Sequence, residues 1–160
     1  MQFLTLDYHR ITPSLYVGTY PQTPEDVLHL KGVGVTAVLS VQSDLDLDER
    51  GVDWPRFWKF YTSHGIAATR VPITDFDSGS LRRRLEDAVG ALEGFVASGK
   101  VVYLHCTAGV NRSTTVAAAW LMRQQRLTRA DAVDQISNAR PVAAPDLHAL
   151  DLWAKDASSR

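Results

Sequence analysis

The chain's single cysteine, Cys106, closes a short apolar run, and Arg112 stands six positions later with Ser113 beside it. Residues of these types at this spacing can grip and attack a phosphoryl group. If Val101 to His105 is a buried strand and Ser113 to Met122 a helix, the amides of Thr107, Ala108, Gly109, Val110 and Asn111 must turn in the connection, where they can converge on one centre. A dianionic phosphoryl group, or free phosphate ion, suits such a ring of donors. The helix N-terminus adds partial positive charge, and Arg112 can give two parallel charge-assisted hydrogen bonds to phosphate oxygens. The same field favours ionised sulfur, so a Cys106 thiolate is expected at neutral pH. The bland alternative is a small core residue. A core cysteine needs neither Gly109 nor a hydroxyl at Ser113, so the surroundings favour a nucleophile.

A leaving oxygen needs a proton, which calls for a carboxylic acid projecting from a different loop. Val71 to Ser80 supplies Asp75, directly after a strand end, and Asp77. Either could instead cap the next helix or organise a turn. Ser80 can serve as that cap, which leaves Asp75 as the favoured acid and Asp77 as its alternative.

These groups need a scaffold that brings two distant loops together. Short branched apolar runs at Leu15 to Val17, Val35 to Val41, Ile66 to Ile73 and Val101 to Leu104 suit buried strands. Helical segments lie between and after them. Thr23-Pro24-Glu25-Asp26 opens one that stops near Gly32 and Gly34. Ser80 caps a longer one with a Leu81, Leu85, Val89, Leu92, Val96 stripe. Thr114 to Gln125, Thr128 to Ala139 and Asp146 to about Lys155 follow. Alternating strand and helix predicts one α/β domain over residues 1–160, core about 10–155, with a mainly parallel central sheet flanked by helices on both faces. The loops after Ile73 and His105 then share the carboxyl end of the sheet, where open α/β folds bind ligands. Only 157–160 read as a frayed end.

Composition narrows the partners. At 160 residues and 45% hydrophobic there is enough chain for one core. Lys plus Arg number 17 against 18 Asp plus Glu, a balance that points to neither nucleic acid nor membrane as partner. No secretory leader or long apolar span is read at the N-terminus, and a lone cysteine without zinc-ligand spacing or a paired redox motif suggests a reduced, cytoplasmic setting with no metal or other cofactor.

His105 to Ser113, His-Cys-Thr-Ala-Gly-Val-Asn-Arg-Ser, resembles the signature loop of the protein tyrosine and dual-specificity phosphatases. Its Cys-Thr-Ala-Gly-Val core is similar to the glucan-phosphatase branch, the laforin and plant starch-excess type. Gln22 to Val27, Gly34 to Val38, Asp75-Phe76-Asp77 with Leu81-Arg82, and Ala139-Arg140-Pro141 resemble segments in the same order there. The resemblance implies Cys106 as nucleophile, Arg112 as phosphate clamp, Asp75 as acid then base, Ser113 as the hydroxyl aiding phosphocysteine breakdown and His105 as a support behind the loop. It also implies that Phe76, with Asp77, and aromatics such as Trp54, Trp58 and Tyr61 hold a phosphorylated α-glucan. Against this, a helix over 54–63 could simply bury Phe57 and Tyr61. The branch carries glycine where this chain has Asn111, and the chain is expected to have no separate carbohydrate-binding domain. The rivals are a general dual-specificity protein phosphatase, a catalytically silent phospho-ligand binding module and a rhodanese-like sulfur carrier.

Overall fold

A computed structural model describes residues 4–158. Twelve elements follow in order: β1 (Tyr8–Thr12), β2 (Leu15–Gly18), α1 (Pro24–Gly32), β3 (Ala37–Ser40), α2 (Asp44–Arg50), α3 (Trp54–Ser63), β4 (Ala67–Arg70), α4 (Ser78–Ala97), β5 (Val102–His105), α5 (Arg112–Gln124), α6 (Arg129–Ala139) and α7 (Leu147–Ser158). The expected leader-free start falls partly, and the frayed end partly, on residues outside that span.

The sheet has the order β1-β2-β5-β3-β4. β2, β5, β3 and β4 run parallel, and β1 is antiparallel to β2, so the sheet is mixed. Alternation along each strand builds two cores. Leu15, Val17, Ala37, Leu39, Val102 and Leu104 face α4, α5, α6 and α7, while Val38 and Tyr103 face Val27 and Leu30 of α1 and Tyr61 of α3. Burial on both faces explains why these strands read as continuous apolar runs. Among the described residues no helix is long and apolar enough to cross a membrane.

β1 and α2 were not expected. β1 is an edge strand carrying Tyr8, His9 and Arg10, too polar to resemble a buried run. In α2, acidic residues alternate with leucines in Asp44-Leu45-Asp46-Leu47-Asp48, which masks a helix opened by a capping box between Ser43 and Asp46. The expected cap of α4 is corrected as well. Asp77, not Ser80, is its N-cap and accepts from the Ser80 amide at 3.0 Å, while the Ser80 hydroxyl accepts from the Thr74 amide.

Candidate active site

β5 ends at His105, and the chain turns through Cys106 to Asn111 before α5 starts at Arg112. The turn needs Gly109, whose φ is +66° and whose absent Cβ would lie 2.6 Å from the Gly18 carbonyl. The Gly109 amide donates to Cys106 Sγ at 3.3 Å, and the Ser113 hydroxyl lies 3.3 Å from the same sulfur. Cys106 is only 3% exposed and abuts the core, yet its sulfur meets polar donors. Asn111 gives α5 no side-chain cap, so no capping side chain occupies the helix N-terminus beside the loop.

Arg112 is buried at 2% exposure, which demands acceptors for its guanidinium. Asp46 supplies them: Nη1 donates to Oδ2 at 2.6 Å and Nη2 to Oδ1 at 3.3 Å, while Nη1 also donates to the Ile73 carbonyl at 2.8 Å. Asp75 Oδ2 lies 3.3 Å from Nη2. Burial alone would lower the Arg112 pKa, but Asp46, Cys106 and Asp75 outweigh it and hold the value above the ordinary one. Burial would likewise raise Asp46, and hydrogen bonds from Arg112 and Ser43 hold its carboxyl below the usual range. Arg112 Nε is buried with no partner.

Asp46 was missed as a site residue. It also accepts from the Thr107 hydroxyl at 3.3 Å, and Gln42 Nε2 donates to that hydroxyl at 3.0 Å. His105 lies behind the loop as expected, with Nδ1–H donating to the Cys106 carbonyl at 2.9 Å. Burial pushes its pKa down to about 4, so the ring is neutral. The structure thus brings Cys106, Arg112, Ser113, His105 and Asp75 into one cluster from the ends of β4, β5 and the start of α5.

Residues 15–155 match the family model for the dual specificity phosphatase catalytic domain. The chain belongs to the dual specificity phosphatase family. Phosphoglucan phosphatase DSP4 of Castanea sativa is 34% identical over 96% of this chain and 41% of its own length, and laforin of Mus musculus is 32% identical over 72% of this chain and 38% of its own. The chain therefore spans about two fifths of these two relatives. Dual specificity phosphatase 28 of Homo sapiens is 32% identical over 86% of this chain and 70% of its own. Its crystal structure superposes with a TM-score of 0.72 at 28% identity, covering 94% of this chain and 95% of that one.

Within this family member, the expected substrate contacts separate. Phe76 is 99% exposed beside Asp75, at φ +55°, a left-handed conformation costly for a bulky residue. Its amide donates to Asp75 Oδ1 at 3.1 Å, which ties the ring's position to the acid. Asp77 is not a free contact, because its carboxylate caps α4. Tyr61 is 1% exposed in the α1/α3 core and offers no ring face to a ligand, while Trp54 is half-buried, tilted against Tyr61 and with the Arg70 guanidinium over its ring. Trp58 is exposed, but its indole N–H clips the Ala68 carbonyl of edge strand β4. Periodicity shows that α3 is amphipathic and cannot say which neighbour covers its apolar face. A cleft of about 580 Å³ does lie beside α3, lined by Pro24, Arg56, Phe57, Lys59 and Phe60 among others, and no residue of the Cys106 loop lines it.

Asn111, where the glucan-phosphatase branch has glycine, has φ −112° and needs no glycine. Its side-chain amide donates to the Ala144 carbonyl at 2.9 Å, and the Ala144 amide donates to the Val110 carbonyl at 2.7 Å. The substitution latches the loop to the α6–α7 connection.

Proposed function

We propose that the chain hydrolyses phosphomonoesters through a phosphocysteine, and that its substrate is a phosphorylated α-glucan. The Cys106 thiolate attacks phosphorus, an S–P bond forms and the ester P–O bond breaks as Asp75 passes its proton to the leaving oxygen. Water then attacks the phosphocysteine, Asp75 takes a proton from it, and the S–P bond breaks to release phosphate with Ser113 donating to the departing sulfur. The carrying observation is Arg112: a buried guanidinium positioned by Asp46, with Nε lacking any acceptor beside a cysteine whose sulfur already faces the Gly109 amide. A bound phosphoryl oxygen would satisfy that donor.

The glucan reading rests on Phe76 and on the likeness to DSP4 and laforin. A fully exposed ring next to the acid offers a platform for the apolar C–H face of a sugar. A general protein phosphatase is the second reading, favoured by the likeness to dual specificity phosphatase 28 at comparable identity.

Phosphate release from phosphorylated amylopectin and from a phosphopeptide panel separates the two. On the glucan reading kcat/KM is higher for amylopectin, and Phe76→Ala lowers it about three- to tenfold while leaving p-nitrophenyl phosphate unaffected. A preference for phosphopeptides, insensitive to Phe76, rejects the glucan. Normal turnover in Cys106→Ser rejects the whole mechanism.

A further inference from the structure

Arg140 lies at the end of α6, and its side chain is completely buried. Nothing in the phosphoryl-transfer scheme above uses it. Its guanidinium is nonetheless committed to the Cys106 loop: Nε donates to the Gly109 carbonyl at 2.7 Å and Nη2 to the Ala108 carbonyl at 3.2 Å. Nη1 reaches His9 Nδ1 of β1 at 3.0 Å, with the largely exposed Asp7 carboxylate at 3.5 Å.

We infer that Arg140 is a positioning residue for phosphoryl transfer, aiming the amides of Gly109 and Val110 at the sulfur and its phosphoryl group by holding the opposite ends of the same two peptide units. A trans peptide is planar, and its C=O and N–H point in opposite directions. Fixing the Ala108 oxygen therefore fixes the Gly109 N–H, and fixing the Gly109 oxygen fixes the Val110 N–H. The first of these amides is observed on Cys106 Sγ at 3.3 Å. A second argument comes from cost. Burying a guanidinium is expensive unless its acceptors are well placed, and a well-packed apolar side chain commonly serves stability as well or better. Here the close acceptors are two loop carbonyls and a histidine, and the only carboxylate, Asp7, is largely exposed at 3.5 Å, so the charge goes chiefly where the loop needs orienting. His9 serves the same end: with Nη1 donating, its Nδ1 is the acceptor, and β1 thereby steadies the guanidinium from behind.

The inference rests on the reading of Cys106 as nucleophile, so the wild-type protein is assayed first with p-nitrophenyl phosphate and vanadate. Absent turnover would overturn both readings. With an active wild type, Arg140→Met is expected to lower kcat about 10- to 100-fold, less than the roughly 100- to 1000-fold for removing an oxyanion-type donor outright, because the amides are misaimed rather than lost, and to raise the vanadate inhibition constant by a comparable factor. Arg140→Lys, which keeps the charge but not the fork, is expected to recover part of both. His9→Leu should give a smaller change in the same direction. Activities are taken per iodoacetate-titratable Cys106, and Tm is recorded for each variant. A merely structural role would lower Tm and leave kcat and vanadate inhibition within twofold of wild type, which would overturn the proposal. If Arg140→Met does not fold, Arg140→Lys decides alone: an unchanged vanadate constant overturns the proposal, and a several-fold rise at near-native Tm supports it.

Discussion

Asp46 shows how a single side chain can join structure and chemistry. It takes part in the capping box of α2, orients Arg112 through both its oxygens and accepts from Thr107. Asp46→Ala leaves a buried guanidinium without its main partner, a loss worth about 3–5 kcal/mol, and is expected to lower Tm and raise KM together in thermal melts and steady-state kinetics. Asp46→Asn, which keeps the acceptor oxygen, should cost less. Glycines separate by their surroundings in the same way. Gly109→Ala must place a Cβ against the Gly18 backbone as well as bear φ +66°, and turnover should be abolished. Gly99, at φ +80° with nothing within 4 Å of its Cβ position, faces only the left-handed penalty. Gly99→Ala is expected to keep full activity and lose about 1–2 kcal/mol in denaturant melts.

The segment between β4 and α4 divides its two acids by geometry. Asp77 closes the helix N-terminus and Asp75 faces Arg112, while the Ser78 hydroxyl donates to Asp146 ahead of α7. The acid loop is thus anchored to the same α6–α7 connection that Asn111 holds from the other side. Asp75→Ala is expected to lower kcat by about 10²–10⁴ for an alkyl phosphate while phosphate still inhibits. Asp77→Ala should cost about 1 kcal/mol of stability and reduce activity only modestly, through loosening of the loop. Equal kinetic damage from both would contradict the assignment of Asp75 as acid. α3 offers a contrast at this scale: its helical stripe is plain in Trp54, Phe57 and Tyr61, yet only Tyr61 is sealed in the core beside α1, while Trp54 and Phe57 pack partly buried against it and Phe57 also lines the neighbouring cleft.

For the whole molecule, acid stability reports on the closed end of the site. His105 has a folded pKa of about 4 against 6.5 when free, so between those values the unfolded chain binds the extra proton. Stability is complete above about pH 6.5 and falls as pH drops toward 4, by roughly 2 kcal/mol between pH 7 and 4.5. Asp26 and Asp46, whose pKa values are held down by hydrogen bonds, add to the loss only below their usual range near 3.8. Urea melts across this range should show the early decline in the wild type, and His105→Asn should lack it. A wild-type curve flat from pH 7 to 4.5 would contradict a buried neutral imidazole behind Cys106.

Reading along the chain located Cys106, Arg112, Ser113, Asp75 and the strands and helices that carry them, because each signal is local: a buried strand's apolar run, a helix's cap and stripe, a loop's glycine. The family likeness of the His105 to Ser113 loop is local in the same sense. Only the tertiary structure decided which acceptors hold the two buried arginines, since Asp46 meets Arg112 and the Gly109 carbonyl meets Arg140 through crossovers that leave no spacing pattern in the sequence. It likewise decided that Asp77 rather than Ser80 caps α4 and that Tyr61 is interior. The physical reason is that periodicity and capping record a residue's own backbone and its near neighbours, whereas desolvation and charge pairing depend on segments that the fold brings together from far apart.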